Sequence, residues 1–235
     1  MKGRKLAVLT MGYLIVFTCF TAATYWGSRA VTVLSERIPL EREHTIIIDA
    51  GHGGIDGGAT SCTGKPESAL NLEISLKLND LLHLLGCNTA MIRTTDCSIH
   101  TQGETIAAKK VSDLKERVRI VNDTENPLLI SIHQNTFSDS QYHGAQVFYT
   151  DTEGSHPFAS QMQNALVQSL NPESNRKCKQ SKGVYLMEHI EKTGILVECG
   201  FLSNPEEDAL LQTPDYHRKL SCVIAAAADT YLSNT

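Results

Sequence analysis

A histidine set between glycines closes an apolar run near residue 50. Residues 49–54 read DAGHGG and directly follow the run TIII at residues 45–48. Glycine allows main-chain angles that other residues avoid, and it lets another group approach the backbone closely. His52 therefore suits a metal ligand, a general base or a plain turn residue, and its own neighbours leave all three roles open.

Three further polar side chains stand at the ends of apolar or helical patterns. His133 follows the run 128–132 in SIHQN, and Glu198 lies near the end of the run 195–199 in LVECGF. Glu67 lies in a loop with glycine and proline, just before a helical pattern. An unpaired charge beside apolar stretches is costly, so these groups need a partner, and a divalent metal can supply one. In open α/β sheets, ligands gather outside the carboxyl ends of the strands.

Two imidazoles, one carboxylate and an open position are typical of catalytic zinc sites, where water takes the fourth position. Zinc lowers the pKa of that water towards about 7, and a further carboxylate must then carry its proton to the leaving amine. The chain offers Glu67 as a ligand and Glu198 as the acid and base. The motif HExxH is absent, which excludes a thermolysin-like helix as the ligand source. These residue types favour a zinc hydrolase, provided that the distant side chains converge.

The segments that must position these groups alternate between strand and helix patterns. We expect strands at residues 45–49, 89–93, 128–132, 144–149, 183–187 and 194–199. We expect helices at residues 70–85, 113–121, 157–170, 206–211 and 216–232, the second beginning at a capping box of Asp113 and Glu116. The strand at 128–132 is apolar on both faces, which indicates a central position. The alternation predicts an α/β fold, a single three-layer αβα domain over residues 44–235 with a mostly parallel or mixed sheet.

The first 29 residues are of a different kind. Lys2, Arg4 and Lys5 precede residues 6–26, a stretch of 21 residues without charge. That stretch is long enough to span a bilayer as a helix, and it also resembles a long signal peptide. The length of this stretch favours an uncleaved anchor over a cleaved signal peptide. The positive charges before it predict that the N-terminus stays in the cytoplasm and the rest is exported. A polar linker is expected at residues 30–43.

Charge divides along the same boundary. Residues 1–29 hold four of the 21 Lys and Arg residues and none of the 26 Asp and Glu residues, so the remaining chain carries a net charge of −9. Nucleic-acid binding needs a basic face, so an acidic exported body argues against a nucleic-acid partner. The seven cysteines form no CxxC pair, which leaves a thiolate zinc site unsupported and the pairing of the cysteines open.

Several motifs together carry a resemblance to a known family. DAGHGGIDGGA, ESALNL, ERVRIVN, SIHQN, GAQVFY and VECGFLSNP occur in the order and spacing of zinc-dependent N-acetylmuramoyl-L-alanine amidases of the amidase-3 type. The likeness spans residues 45–232. Within the family, KGVYLMEHIEKTGILVECGFLSNP resembles the spore-cortex, or germination-specific, amidases of endospore-forming bacteria.

The resemblance implies one zinc ion per chain, held by His52, Glu67 and His133, with Glu198 as the catalytic carboxylate. It implies hydrolysis of the amide between N-acetylmuramic acid and the L-alanine of the peptidoglycan stem peptide. In the spore subgroup this step leads to the muramic δ-lactam of cortex, and some members work with an accessory lipoprotein. We therefore expect an exported protein, membrane-anchored or secreted, in the intermembrane space of the developing spore.

Other residues with suitable chemistry are assigned ordinary roles. Glu73, a rival ligand, is expected to be a solvated helix residue. Cys199 follows Glu198 in a strand and should point to the opposite face, as a small core residue. The remaining seven histidines lack a motif and are expected at surface or structural positions: His44, His83, His100, His143, His156, His189 and His217.

Polar residues near the predicted ligands are candidates for supporting roles. Zinc-bound imidazoles usually donate their other N–H to an acceptor, and Asp49, Asp56 and Asn135 are the candidates. Which of them does so is left open. Arg117 lies in the predicted helix, where a structural salt bridge is as plausible as a contact with substrate.

Two other functional classes remain open. A zinc peptidase or carboxypeptidase acting on stem peptides would use the same ligand types and cleave within the peptide. A non-catalytic wall-binding relative would lack a ligand or the base, and none is missing here. Mass spectrometry of digested peptidoglycan separates the two enzymes, because only the amidase leaves a free lactyl carboxylate.

Overall fold

The computed structural model describes residues 43–234, together with residues 17, 18, 21, 22, 24 and 25. The anchor predicted at residues 1–29 and the linker predicted at 30–43 lie almost wholly outside the described residues. Within the described part, no helix combines the length and the apolar character that crossing a bilayer requires. The described residues from 43 onward belong to one compact unit.

From residue 43 onward, six strands and six helices alternate along the chain. The strands are β1 Thr45–Ala50, β2 Asn88–Met91, β3 Pro127–Asn135, β4 Gln146–Tyr149, β5 Lys179–Gln180 and β6 Gly194–Phe201. The helices are α1 Glu67–Leu84, α2 Ile106–Asp123, α3 Ser155–Leu170, α4 Tyr185–His189, α5 Pro205–Leu211 and α6 Pro214–Ser233.

The strands form one mixed sheet in the order β2-β1-β3-β6-β4-β5. Four of them, β2, β1, β3 and β6, run parallel, whereas β4 pairs antiparallel with β6, and β5 pairs parallel with β4. The central position predicted for the strand at 128–132 is confirmed, because β3 lies between β1 and β6. Its carboxyl end and those of β1 and β6 therefore share one edge of the sheet.

Helices cover both faces of the sheet, as the predicted three-layer α/β fold requires. Ile46 and Ile48 point into a large core packed against α1, α3 and α6, whereas Ile47 points into a smaller core beneath α2 and α4. Successive side chains of a strand point to opposite faces, so this alternation sorts every residue of β1. The functional groups at the sheet edge follow the same rule.

One predicted strand is wrong. Residues 183–187 do not pair with the sheet; instead Tyr185–His189 forms the short helix α4. Leu186 and Met187 are buried in the smaller core, and the rings of Tyr185 and His189 stack at 3.8 Å, one helical turn apart. A short apolar run looks alike in a strand and in a buried helical turn, so periodicity alone misassigned it.

The predicted start of the second helix is also wrong. Helix α2 begins at Ile106, where the Thr105 side chain accepts a hydrogen bond from the Ala108 N–H at 3.1 Å. Asp113 lies in mid-helix and pairs with Arg117 one turn later at 2.6 Å. Asp113 and Glu116 have the spacing of a capping box, but both lie inside the helix.

Smaller differences concern element ends. Helix α1 begins at Glu67, three residues before the predicted start, so Glu67 belongs to the first turn of the helix rather than to the loop. The two-residue strand β5 has too short a pattern to be predicted from sequence.

Candidate metal centre

The loop after β1 holds His52 in an unusual backbone conformation. His52 has a φ of 60°, in the left-handed region that few residues other than glycine adopt. A tight turn follows it, in which Gly53 and Asp56 exchange backbone hydrogen bonds of 2.8 and 3.2 Å. Such strained positions cluster at functional sites because the surrounding structure must hold them. The glycines around His52 therefore allow a tight turn that orients its imidazole ring.

Glu67 opens helix α1 with its side chain pointing inwards. Only 3% of the residue is exposed, and its place in the first helical turn favours a negative charge. Its Oε2 accepts a hydrogen bond from the Ala59 N–H at 2.9 Å, and its Oε1 accepts from the Gln134 N–H at 3.1 Å. The Asn71 amide, one turn along α1, donates to Oε1 at 3.2 Å. These donors fix the carboxylate between β1 and β3.

The two imidazoles converge on this carboxylate. Nδ1 of His133 lies 2.9 Å from Oε1 of Glu67, and Nε2 of His52 lies 3.4 Å from Oε2. One ligand atom from each of the three side chains lies within 4.8 Å of the others. The structure therefore brings together the three residues that the sequence nominated as metal ligands.

Close packing on glycine makes room for this cluster. A Cβ atom at Gly51 would lie 2.2 Å from Nε2 of His133, far inside van der Waals contact. A Cβ atom at Gly58 would lie 2.5 Å from Oε2 of Glu67 and 2.7 Å from Cδ2 of His52. Two of the glycines in DAGHGGIDGGA are thus positions where any side chain would push a predicted ligand aside.

Asp56 is the acceptor that orients His52. Its Oδ2 lies 2.9 Å from Nδ1 of His52, and its Oδ1 pairs with Nζ of Lys110 at 2.7 Å. The contact leaves Nε2 of His52 free to face Glu67. Of the three candidates, Asp56 therefore makes this contact, whereas Asp49 is buried and accepts hydrogen bonds from Arg117 and Ser131.

Two buried guanidinium groups hold the carbonyl groups of the loop. Arg117 donates to the carbonyl oxygens of Ala50 at 3.1 Å and His52 at 2.7 Å, besides its contacts with Asp49 and Asp113. Arg117 therefore stabilises the loop and the buried carboxylates around it.

Arg93 also stabilises this loop. It donates to the carbonyl oxygens of Ala50, Gly51 and Ser68 at 2.8 to 3.0 Å. Arg93 and Asn71 were not singled out in the sequence. The available signals were a basic residue at a strand end and an amide one helical turn after Glu67.

The charges in this cluster suit a cation. Burial by itself lowers the pKa of His52, but hydrogen bonds and charge from Glu67 and Asp56 outweigh it and raise the pKa to about 9. Burial also opposes ionisation of Glu67, yet the two histidines hold the pKa of Glu67 well below its usual range. The site is therefore built to stabilise positive charge next to an ionised carboxylate. Two imidazole nitrogens and one carboxylate oxygen form a donor set that fits Zn²⁺.

Glu198 stands in the strand next to His133. Strands β3 and β6 pair His133 with Glu198 in register, so both side chains lie on the face covered by α2 and α4. Oε2 of Glu198 is shielded from solvent and has no hydrogen-bond partner among the described residues. Burial raises the pKa of Glu198 to about 7; the charge of Glu67 adds to this, while the two histidines oppose it. An orphaned carboxyl group with a pKa near neutrality is suited to accepting and releasing a proton.

A cleft of about 330 Å³ opens over these groups. Its floor is formed by residues of β1, β3 and β6, and its walls by α2 and by the segment that leads into α4. His52, His133 and Glu198 line it, together with Lys110 and Tyr185. A larger groove of about 870 Å³ lies between α3 and α6, but its described lining contains no carboxylate. The chemistry therefore belongs to the smaller cleft.

The remaining candidates lie elsewhere. Glu73 is outside the cluster, and its 41% exposed side chain pairs with Lys65 at 2.6 Å. Cys199 is fully buried in the larger core, on the opposite face from Glu198. His217 is also buried and donates from Nε2 to the Leu211 carbonyl oxygen at 2.5 Å. The other six histidines are half-buried or exposed and take no part in the cluster: His44, His83, His100, His143, His156 and His189.

Comparison with known proteins identifies the family. The family model Amidase_3, described as N-acetylmuramoyl-L-alanine amidase, matches residues 46–230. The germination-specific N-acetylmuramoyl-L-alanine amidase of Bacillus subtilis is 37% identical over 182 residues, or 76% of each chain.

Solved structures agree with this assignment. The CwlD amidase of Clostridioides difficile, in complex with the GerS lipoprotein, is similar with a TM-score of 0.77 at 35% identity, over 81% of this chain and 99% of that one. An N-acetylmuramoyl-L-alanine amidase from Clostridium difficile 630 is similar with a TM-score of 0.71 at 28% identity, over 83% and 99%. The chain belongs to the Amidase_3 family of N-acetylmuramoyl-L-alanine amidases, enzymes that act on peptidoglycan.

Proposed function

We propose that this amidase depends on zinc and that it acts on spore cortex. The observation that carries the zinc dependence is the meeting of His52, Glu67 and His133, with the buried carboxyl group of Glu198 one strand away. Ligand atoms from three separate segments of the chain lie close together. The pKa of the Glu198 carboxyl group, about 7, suits a general acid and base at neutral pH.

Nε2 of His52, a carboxylate oxygen of Glu67 and Nδ1 of His133 would hold one zinc ion. When bound, zinc supplies a Lewis acid that polarises the scissile carbonyl and lowers the pKa of water at an open position. The protein contributes the orientation of the ligands. Asp56 fixes the ring of His52, and the Ala59 and Gln134 N–H groups fix Glu67.

Glu198 moves the proton. Its carboxylate takes a proton from the attacking water as the water oxygen bonds to the lactyl carbonyl carbon. It then returns that proton to the alanine nitrogen as the carbon–nitrogen bond breaks, so the products are a lactyl carboxylate and a free amine. The apolar surroundings of Glu198 favour the protonated form that this second step requires.

The biological setting is proposed from similarity to the Bacillus subtilis germination-specific amidase. Removal of the peptide from muramic acid would be the step that precedes δ-lactam formation in cortex. We propose an extracytoplasmic location, in the intermembrane space of the developing spore, with residues 1–29 as a membrane anchor or signal peptide. An accessory lipoprotein is proposed as a partner because the CwlD amidase was solved in complex with one.

Digestion of purified peptidoglycan tests the reaction. Mass spectrometry should find muramic acid with a free lactyl carboxylate and intact peptides beginning with L-alanine, whereas a peptidase would leave truncated peptides. Exhaustive chelation should abolish this activity, and added Zn²⁺ should restore it. Activity from protein shown to contain no metal would overturn the zinc dependence. For the cortex role, spores lacking the protein should lack muramic δ-lactam; unchanged spore muropeptides would overturn it.

A further inference from the structure

Among the described residues that line the cleft, Lys110 is an exposed cation that the proposed chemistry does not use. We propose that Lys110 of α2 binds a free carboxylate of the stem peptide, on the residue that follows L-alanine, and so places the scissile amide over the metal centre. This inference rests on the amidase function proposed above. It adds a substrate-binding residue and a preference between two chemical forms of the peptide.

The cations that line the cleft differ in their freedom to bind substrate. Besides the two histidines, the described lining contains Arg117 and Lys110. Arg117 is 2% exposed, and its donors are engaged by Asp49, Asp113 and two carbonyl groups. The side chain of Lys110 is 45% exposed and makes a single ion pair, with Asp56. An ammonium group has three donors, so two of them remain for a ligand.

Lys110 lies near one of the predicted metal ligands. Its Nζ is joined to the ring of His52 through Asp56, by contacts of 2.7 and 2.9 Å. A single carboxylate group, that of Asp56, therefore separates Nζ from the ring of a predicted zinc ligand. One residue of extended peptide spans roughly 3.5 Å. Lys110 and Glu198 line the same cleft, so in the proposed arrangement the carboxylate of the residue after L-alanine contacts Nζ while the scissile amide lies beside Glu198.

Charge around the cleft makes this contact selective. The chain outside residues 1–29 has a net charge of −9, and Asp49, Asp56 and Asp113 line the same cleft. Asp49 and Asp113 pair with the buried Arg117, so the exposed ammonium group of Lys110 is the cation that the described lining offers to an acidic peptide. A peptide whose carboxyl group is a carboxamide forms no ion pair there. The protein should therefore bind the free acid more tightly than the carboxamide.

The test compares two N-acetylmuramoyl-tripeptide substrates that differ only in whether the second residue carries a free carboxylate or a carboxamide. For the unaltered, zinc-loaded protein we expect a KM roughly tenfold lower for the free acid, with similar kcat, because the contact is made in ground and transition states alike. Lys110→Gln should abolish this difference, and Lys110→Arg should retain part of it. The matched control is Lys115→Gln, on the same helix but lining a separate surface groove, which should keep the full preference.

The outcomes are distinguishable. If Lys110 acts only by supporting Asp56 and His52, Lys110→Gln will lower kcat equally for both substrates and preserve their ratio, which overturns the proposal. Equal KM values for both substrates with the unaltered protein overturn it as well. If the zinc-loaded protein turned over neither of the two substrates, the proposed amidase function would instead be contradicted. Zinc affinity, measured by chelator competition for each variant, separates loss of metal from loss of substrate binding.

Discussion

Glu198 on β6 lies directly opposite His133 on β3, because the two parallel strands pair these residues in register. Both side chains therefore point to the same face of the sheet, over the same edge. A group able to transfer a proton thus stands beside a predicted metal ligand. Because both residues lie on strands in the centre of the sheet, their separation is fixed by the backbone.

Replacing the carboxyl group of Glu198 tests its role in proton transfer. Glu198→Gln should lower kcat by roughly 10²- to 10⁴-fold, the usual contribution of a positioned acid and base. Zinc content should stay unchanged, since Glu198 is not among the three clustered side chains. Glu191→Gln, an exposed change of the same kind, is the control. Unchanged turnover by zinc-loaded Glu198→Gln would contradict the mechanism.

The same variant should change the pH dependence of stability in the metal-free protein. Burial is the main cause that raises the pKa of Glu198 from 4.5 to about 7. The folded state then binds the proton more tightly than the unfolded state, so the free energy of unfolding falls as pH rises from about 4.5 to about 7. Glu198→Gln lacks this loss and should be more stable above pH 7, by about 3 kcal/mol.

Urea unfolding of both chelated proteins at several pH values measures this difference. The gap between them should close below about pH 4.5, where Glu198 is protonated in the folded and unfolded states alike. A constant gap across the whole range would show that Glu198 titrates normally in the folded protein.

Zinc binding should release a proton from His52. In the metal-free protein, burial lowers the pKa of His52, but the larger combined effect of Glu67 and Asp56 raises this pKa to about 9. Zinc needs the neutral imidazole, so the apparent affinity should fall about tenfold for each pH unit below about 9. Chelator competition between pH 6.5 and pH 9.5 measures the slope, and a flat profile would exclude a protonated His52.

The packing of Gly51 against His133 predicts a specific loss of metal. Gly51→Ala places a Cβ atom 2.2 Å from Nε2 of His133, so the ring must leave the position in which its Nδ1 contacts Glu67. We expect zinc affinity to drop by roughly tenfold or more, since ligand orientation controls affinity. The control is Gly57→Ala in the same loop, whose Cβ atom would meet only the Pro66 side chain at 3.4 Å. Equal zinc affinities for the two variants would contradict the packing argument.

The buried charges of Arg117 predict a large effect on stability. Arg117→Met leaves Asp49 and Asp113 without their cation, and it frees the carbonyl groups of Ala50 and His52. Breaking a buried pair in this way should lower the free energy of unfolding by about 3–5 kcal/mol.

The matched control lies two residues further along the same helix. Arg119 is 58% exposed and pairs with Glu116 and Asp123, so Arg119→Met should lower the free energy of unfolding far less than Arg117→Met. Urea unfolding at neutral pH compares the two variants. Similar losses for both would show that Arg117 does not act as a buried anchor.

Much of the fold and of the site was predictable because it rests on local patterns. β-Branched runs between turns located β1 and the centre of β3, and the helical spacing of leucines located α1. His52 stood out because it interrupts glycines after a buried strand. The strand predicted at residues 183–187 is wrong, because a five-residue apolar segment carries no period of its own. The capping box predicted at Asp113 is wrong, because Asp113 lies inside the helix and forms an ion pair with Arg117 there.

What the sequence by itself determined was which groups could do chemistry and, for His52, His133 and Glu198, on which kind of element each stands, since residue type and periodicity are local properties. Only the tertiary structure decided that Asp56 supports His52, that Arg93 and Arg117 hold the loop, and that Lys110 faces the cleft. Apart from the contact between Asp56 and His52 within one loop, these contacts join segments far apart in the chain. Their geometry depends on strand register and on the path of the loops, which no local pattern specifies.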